Sequence, residues 1–258
     1  MSLTRTAIRF AAPLPRIEDS HRVLFIGPHP DDIEIGAGAT AAKLAAAGKE
    51  LCFLICTDGR FGDAYVPAGT STQELIAVRK KEARRSAALL GVSDVRFLGL
   101  SDGGFYEPEA LRHGMAEVIG DFGPDFIFAP DPRVTNECHT DHLNVGEAAM
   151  RLAYFAPYAG IMAGYGAKAS PVKALALYMT AKPNQYIKTT GYLDRQLKAI
   201  FACHKSQFPD GCGESRAISL YLKLRSADYG LRSLKGAAEG FRVLGVTQMH
   251  CLPEAGEA

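Results

Sequence analysis

Four short apolar runs, VLFI at 23–26, LCFLIC at 51–56, VRFL at 95–98 and FIFA at 126–129, alternate with stretches of helical periodicity. Few folds accept that alternation. Parallel strands need long crossovers, the crossovers are right-handed, and the resulting helices cover both faces of the sheet. The pattern predicts a doubly wound, mostly parallel α/β sheet of Rossmann-like class. Helices are expected at 36–47, 72–90 and 108–121, stopped by Gly48, by Gly91 and by the Gly123-Pro124 pair. After Arg151 the pattern weakens. Residues 153–171, AYFAPYAGIMAGYGAKASP, read as a long surface loop, followed by a strand at 174–180 and helices at 191–204 and 214–224. One domain spanning 1–258 is expected, with a core at about 22–155 and a small C-terminal α/β extension at about 170–258.

Composition narrows the function classes. With 47% hydrophobic residues the chain can bury a large core, and its formal net charge is only +1. Basic residues cluster only at 79–85, so neither nucleic acid nor a membrane surface is an expected partner. The first twenty residues lack an apolar signal core and no run is long enough to span a bilayer, which predicts a cytoplasmic protein. Six cysteines without a C-x-x-C pair argue against a disulfide scaffold. Cys52 and Cys56 read as buried thiols, and Cys138 as a small loop filler beside His139.

In an open α/β sheet, ligands bind outside the carboxyl ends of the strands. The segments that follow the four predicted strands are PHPDD, TDGRFGD, SDGGFY and PDPRVTNECHTDH, and every one carries acid or imidazole. In PHPDD an N-cap role explains one aspartate. The second carboxylate, beside the first and next to His29, favours a bound cation. HTDH at 139–142 ends the segment after the fourth strand and opens a helix with two histidines three apart, on one face of a helical turn. A solvated helix start explains HTDH alone; together with HPDD on the same sheet edge, it supplies metal ligands. Catalytic zinc commonly takes three protein ligands and keeps a position open for water. His29, one aspartate and one histidine of HTDH fill that quota. The remaining carboxylate and imidazole suit a general base and an oxyanion donor.

The pairing of PHPDDIEIGAGATAAKLAAAG with HTDH resembles the PIG-L/LmbE-type zinc-dependent N-deacetylases, which act on N-acetylglucosamine-containing substrates. The similarity continues through TDGRFGD, VRKKEARRSAALLGV, LGLSDGG, FAPDP and HKSQ, and so covers residues 22 to about 207. Many members read HPDDE, whereas Ile33 follows Asp32 here and the glutamate is Glu34. The resemblance implies a Zn²⁺ ion on His29, Asp32 and His142, with Asp31 as general base. It further implies that His139 polarises the acetyl carbonyl or holds the oxyanion, with Asp141 orienting it. Arg79 and Asp102 match positions that hold sugar hydroxyls; they equally fit a solvated basic helix face and a glycine-rich turn. The implied substrate is an acetamido-sugar small molecule: a chitobiose-type disaccharide, a glucosaminyl-malate thiol precursor or an antibiotic intermediate. Family members often assemble as trimers or hexamers, so a homo-oligomer is expected. His250, among apolar neighbours near the C-terminus, reads as a core histidine, or as a residue reaching the site of an adjacent subunit.

Two other functions fit parts of the chain. GAGATA at 36–41 matches a dinucleotide fingerprint with Asp58 at the ribose distance, but HPDDIEI separates it from its strand and puts its glycines inside the helix. A non-catalytic sugar-binding protein on the same scaffold would not need Asp31 together with both histidines.

Overall fold

The computed structural model describes residues 10–250 and residue 252. Strands β1 (Arg22–Gly27), β2 (Glu50–Thr57), β3 (Asp94–Leu100), β4 (Phe126–Pro130), β5 (Ala174–Tyr178), β6 (Gln185–Lys188) and β7 (Ala238–Gly245) form one seven-stranded sheet of order β3-β2-β1-β4-β5-β7-β6. The first five in that order are parallel, while β7 runs antiparallel to both β5 and β6. Helices α1 (Asp32–Ala46), α2 (Thr72–Leu90), α3 (Pro108–Phe122), α4 (Thr140–Phe155), α5 (Ala159–Gly164), α6 (Leu193–Cys203) and α7 (Gly213–Ser233) cover it. Alternation along the strands builds two cores. Val23 and Phe25 face α1, α2 and α6, whereas Leu24 and Ile26 face α3, α4 and α5. A third cluster of Ile200, Phe208 and Leu222 ties α7 to α6.

The doubly wound, mostly parallel sheet is as expected. In the C-terminal part, β5, β7 and β6 continue the same sheet. Neither β6 nor β7 is legible in the sequence: QYIK is short and half polar, and AEGFRVLG is interrupted by two glycines and Arg242. Antiparallel pairing and a buried inner face make these strands. The expected loop at 153–171 contains the end of α4 and all of α5, whose Met162 is fully buried. Helix α7 extends nine residues beyond the expected end at 224, because Leu222, Ser226 and Tyr229 continue a buried stripe.

Helix α1 begins at Asp32 rather than at residue 36, since Ile35 N–H already donates to Asp31 C=O at 3.0 Å. It then breaks at Ala37, whose φ of −149° and ψ of 15° are non-helical. The Glu239 carboxylate on β7 accepts the Ala39 and Thr40 N–H groups at 3.3 and 2.7 Å. Gln196 of α6 donates to Glu34 C=O at 2.8 Å and to Glu239 at 2.9 Å. The first turn of α1 is therefore aimed by the C-terminal half of the chain. Gly36 is required by packing: a Cβ there would overlap the ring of the buried Tyr178, whose hydroxyl donates to Ile26 C=O at 2.8 Å. Gly36 thus serves helix–sheet contact and Gly38 a close approach to Gln196 of α6, and the dinucleotide reading finds no support.

Candidate active site

Strand β1 is followed by Pro28-His29-Pro30, and the chain turns sharply into α1 at Asp31. Asp31 takes φ 119° and ψ −25°, in the left-handed half of the map where a side chain is strained by about 1–3 kcal/mol. That strained turn delivers two adjacent carboxylates to different neighbours. Asp32 Oδ2 accepts His29 N–H at 2.8 Å, lies 3.0 Å from His29 Nδ1 and 3.4 Å from His142 Nε2. Asp31 faces Arg79 instead, with the guanidinium 3.4 Å from its Oδ2.

The HTDH segment closes the site from the start of α4. His29, Asp32 and His142 each bring a ligand atom into a cluster within 4.8 Å, as do His29, His139 and Asp141. Donors about 2.0–2.2 Å from a tetrahedral ion lie about 3.3–3.5 Å apart. The 3.4 Å separation at Asp32 Oδ2 falls in that range and the 3.0 Å one is slightly shorter, so a small outward shift of His29 Nδ1 lets the residues fit the expected zinc. Each imidazole in that set also has an outer partner. His29 Nε2 lies 3.0 Å from Asp141 Oδ2, and His142 Nδ1 lies 3.1 Å from Glu137 Oε2. Outer carboxylates of this kind fix ring orientation at metal sites.

Charge in the site is tightly balanced. Burial works against a charged His29, but its hydrogen bonds to Asp141 and Asp32 prevail and lift its pKa to about 10. His142 rises too, the attraction of Asp32 outweighing burial. Against the cost of burial, the two imidazoles hold Asp32 well below the usual carboxylate range. Asp31 moves the other way, to about 6: burial raises it, Arg79 opposes, and the neighbouring Asp32 adds to the rise. His139 is pushed below its ordinary value by burial and by repulsion from His29 and His142.

Other expected residues occupy distinct positions. The Asp141 carboxylate is fully buried and accepts Gly103 and Gly104 N–H at 2.7 and 2.8 Å besides its bond to His29. It lies 3.9 Å from His139 Nδ1, so its first partner is His29 rather than His139. His139 Nδ1 accepts the backbone N–H of Asp141 at 3.2 Å, and that assigns the ring proton to Nε2. Arg79 is 3% exposed and donates to Gly59 C=O and Pro30 C=O, each at 3.0 Å. Asp102 is buried and accepts Phe61 N–H at 3.1 Å. Both side chains thus hold loops around Asp31 and Asp141. His250 is exposed rather than a core residue, its ring 5.4 Å from that of Tyr154 near the far end of α4. At 1.5 Å per residue, Tyr154 lies about 20 Å along the helix from the site.

Glu137 escaped the sequence reading; the signal was an acid five residues before His142, able to take its second ring N–H. HKSQ has an evident role. His204 Nε2 lies 3.2 Å from Glu34 Oε1, Ser206 N–H and Oγ–H donate to Glu82 at 2.9 and 2.6 Å, and Gln207 donates to Gly62 C=O at 2.6 Å. The motif braces the first turn of α1 and the loop over Arg79. Cys138 is exposed, and Cys52 and Cys56 are buried, as expected.

Comparison with known proteins agrees with this geometry. Residues 24–153 match the family model described as PIG-L: GlcNAc-PI de-N-acetylase. Diacetylchitobiose deacetylase of Thermococcus kodakarensis is 31% identical over 242 residues, covering 92% of this chain and 88% of that protein. A 1D-myo-inositol 2-acetamido-2-deoxy-alpha-D-glucopyranoside deacetylase of Kineococcus radiotolerans is 29% identical over 69% of this chain and 56% of its own length. The structure of N,N′-diacetylchitobiose deacetylase from Pyrococcus horikoshii, complexed with its inhibitor MPG, superposes with a TM-score of 0.85 at 32% identity, covering 99% of this chain and 95% of that one. With the family model spanning half of the sequence and a relative above 30% identity matching nearly all of it, the chain belongs to the PIG-L family of N-deacetylases.

Proposed function

We propose that this enzyme hydrolyses the acetamide of an N-acetylglucosamine conjugate, using a Zn²⁺ ion on His29, Asp32 and His142. The observation that carries the reading is Asp32 Oδ2 set between His29 Nδ1 and His142 Nε2 at 3.0 and 3.4 Å, with a second carboxylate, Asp31, next in the chain. A cation bound there supplies Lewis-acid polarisation of the carbonyl and lowers the pKa of water. Asp31 takes the proton of the attacking water, and a pKa near 6 suits a base working near neutrality. Arg79 keeps Asp31 oriented through Pro30 C=O and Gly59 C=O. His139 stays neutral and presents Nε2–H to the acetyl oxygen as negative charge develops on it. Asp141 and Glu137 hold the two metal-facing imidazoles. Asp102 shapes the rim where sugar hydroxyls bind.

A chitobiose-type disaccharide is the favoured substrate, from the 92% coverage by the Thermococcus kodakarensis relative; inositol and malate conjugates are the comparison set. Acetate release from such a panel by the zinc-loaded protein tests the reaction. No acetate from any member overturns the reading. Asp31→Asn is expected to keep the metal and lower turnover by about a hundredfold, measured as kcat beside metal content. Unchanged kcat would reduce Asp31 to a turn residue.

A homo-oligomer, trimeric or hexameric, belongs to the same reading. It is supported by Leu220, Leu224, Leu231 and Leu234, exposed in one row along α7 and just past its end. His250 would then act only on a neighbouring copy; mixing Asp31→Asn subunits with His250→Ala subunits tests whether activity returns. A reducing, cytoplasmic compartment fits the free thiols of Cys52, Cys56, Cys138, Cys203 and Cys212. No helix of the described residues is long and apolar enough to cross a membrane.

A further inference from the structure

Phe61 and Phe105 are 57% and 72% exposed, and their rings meet edge to face with centroids 5.7 Å apart. Among the described residues, the other large apolar side chains more than half exposed lie at Phe10 and on or just past α7. These two phenylalanines alone stand on the loops that build the active site. We propose that they form an apolar ledge that binds the ring attached to the acetamido sugar, and so select a glycosylated substrate over the free monosaccharide. This inference rests on the deacetylase reading above.

Three observations carry it. The ledge is rigid, so its exposure is not that of a loose loop. Asp102 in the Phe105 loop accepts Phe61 N–H at 3.1 Å, which pins the two loops together. Gly59 and Gly62, on either side of Phe61, pack so closely on the Arg79 guanidinium that a Cβ at either would overlap it. Gly103 and Gly104 N–H bind Asp141, and Tyr106, next after Phe105, accepts a hydrogen bond from Asn144 Nδ2 of α4 at 3.3 Å.

The ledge also lies in the right direction. The metal-facing residues sit above β1 and β4, while Phe61 follows β2 and Phe105 follows β3. Strands are spaced about 4.8 Å apart, so the loops that carry the ledge leave the sheet about 5–10 Å to one side of β1, within reach of a ring attached to a sugar whose acetamide is at the metal. Finally, the chemistry is complementary. A pyranose presents an apolar face of C–H groups, and covering that face with a rigid aromatic ring removes apolar surface of both from water at little entropic cost.

The test uses the zinc-loaded full chain with two probes, N,N′-diacetylchitobiose and free N-acetylglucosamine. Phe61→Ala and Phe105→Ala are each expected to raise KM for the disaccharide by about tenfold while kcat stays within about twofold, with kcat/KM for the monosaccharide unchanged. Phe61→Tyr and Phe105→Tyr, which keep the rings, are expected to retain wild-type KM. Equal losses on both probes, or no change on the disaccharide, overturn the proposal. So does a wild-type preference for the monosaccharide. An altered native mass with equal losses on both probes assigns the ledge to a contact between copies and also overturns it. Wild-type protein that releases acetate from neither probe but cleaves an inositol or malate conjugate overturns this inference alone; release from no member of the whole panel overturns the deacetylase reading and this inference with it.

Discussion

Asp31 combines a left-handed backbone, which strains any side chain there, with burial and a carboxylate neighbour, which work against its ionised form. Glycine adopts positive φ freely and carries no charge to bury. Asp31→Gly is therefore expected to stabilise the metal-free protein by about 1 kcal/mol, raising Tm by about 2–4 °C, while turnover collapses. A lower Tm would mean that the Arg79 contact outweighs the strain. The neighbouring histidines set a pH dependence. A cation on His29 and His142 must displace protons from groups whose pKa values are raised, His29 to about 10. Affinity should then climb with pH, by about tenfold per unit for each proton released, up to about pH 10 for the His29 proton. Calorimetry in two buffers of different ionisation enthalpy counts those protons, and a count of zero would show that both rings are already neutral in the metal-free protein. Asp141→Asn and Glu137→Gln should each weaken metal binding by about 10–100-fold, read by competition with a chelator. HPDD and HTDH were legible because their groups lie within three residues of one another. The preference of Asp141 for His29 over His139 was not, since it depends on how α4 meets β1.

At the scale of elements, the decisive feature is the break in α1 at Ala37. An unbroken helix would aim the Asp32 turn along the axis of residues 38–46; the break frees that turn, and α6 with β7 then directs it through Gln196 and Glu239. Glu239→Ala leaves two buried N–H groups without acceptors, at about 1–3 kcal/mol each. It should lower Tm by about 5–10 °C and reduce metal occupancy, whereas Glu239→Gln, which keeps one acceptor oxygen, should lose about half as much. Equal Tm for Glu239→Ala and wild type would remove the cap from the account of the site. The break has no sequence signature of its own. GAGATAA is rich in small residues, but only the ring of Tyr178 on one side and the Glu239 carboxylate on another decide where the helix parts.

Across the whole molecule, the strand order turns at β1 and β4, and the crevice above that switch point is where open α/β sheets bind ligands. Every proposed catalytic group sits there, from β1 through Pro28-His29, from α1 through Asp31 and Asp32, and from α4 through His139 to His142. The leucine row on α7 belongs to this scale as well. If it joins copies of the chain, Leu224→Glu together with Leu231→Glu should lower the native mass measured by light scattering, and an unchanged mass would release that face from the assembly. The sequence by itself determined the layered parallel sheet, most helix stops and the two motifs, HPDD and HTDH, that meet at the candidate site, because period, glycine caps and motif spacing are local properties. Only the tertiary structure decided the antiparallel β7 and β6, the break in α1, the outer partners of the histidines and the exposure of Phe61 and Phe105. Each of these depends on groups distant in the chain, whose burial and hydrogen bonds exist only once the sheet has closed around them.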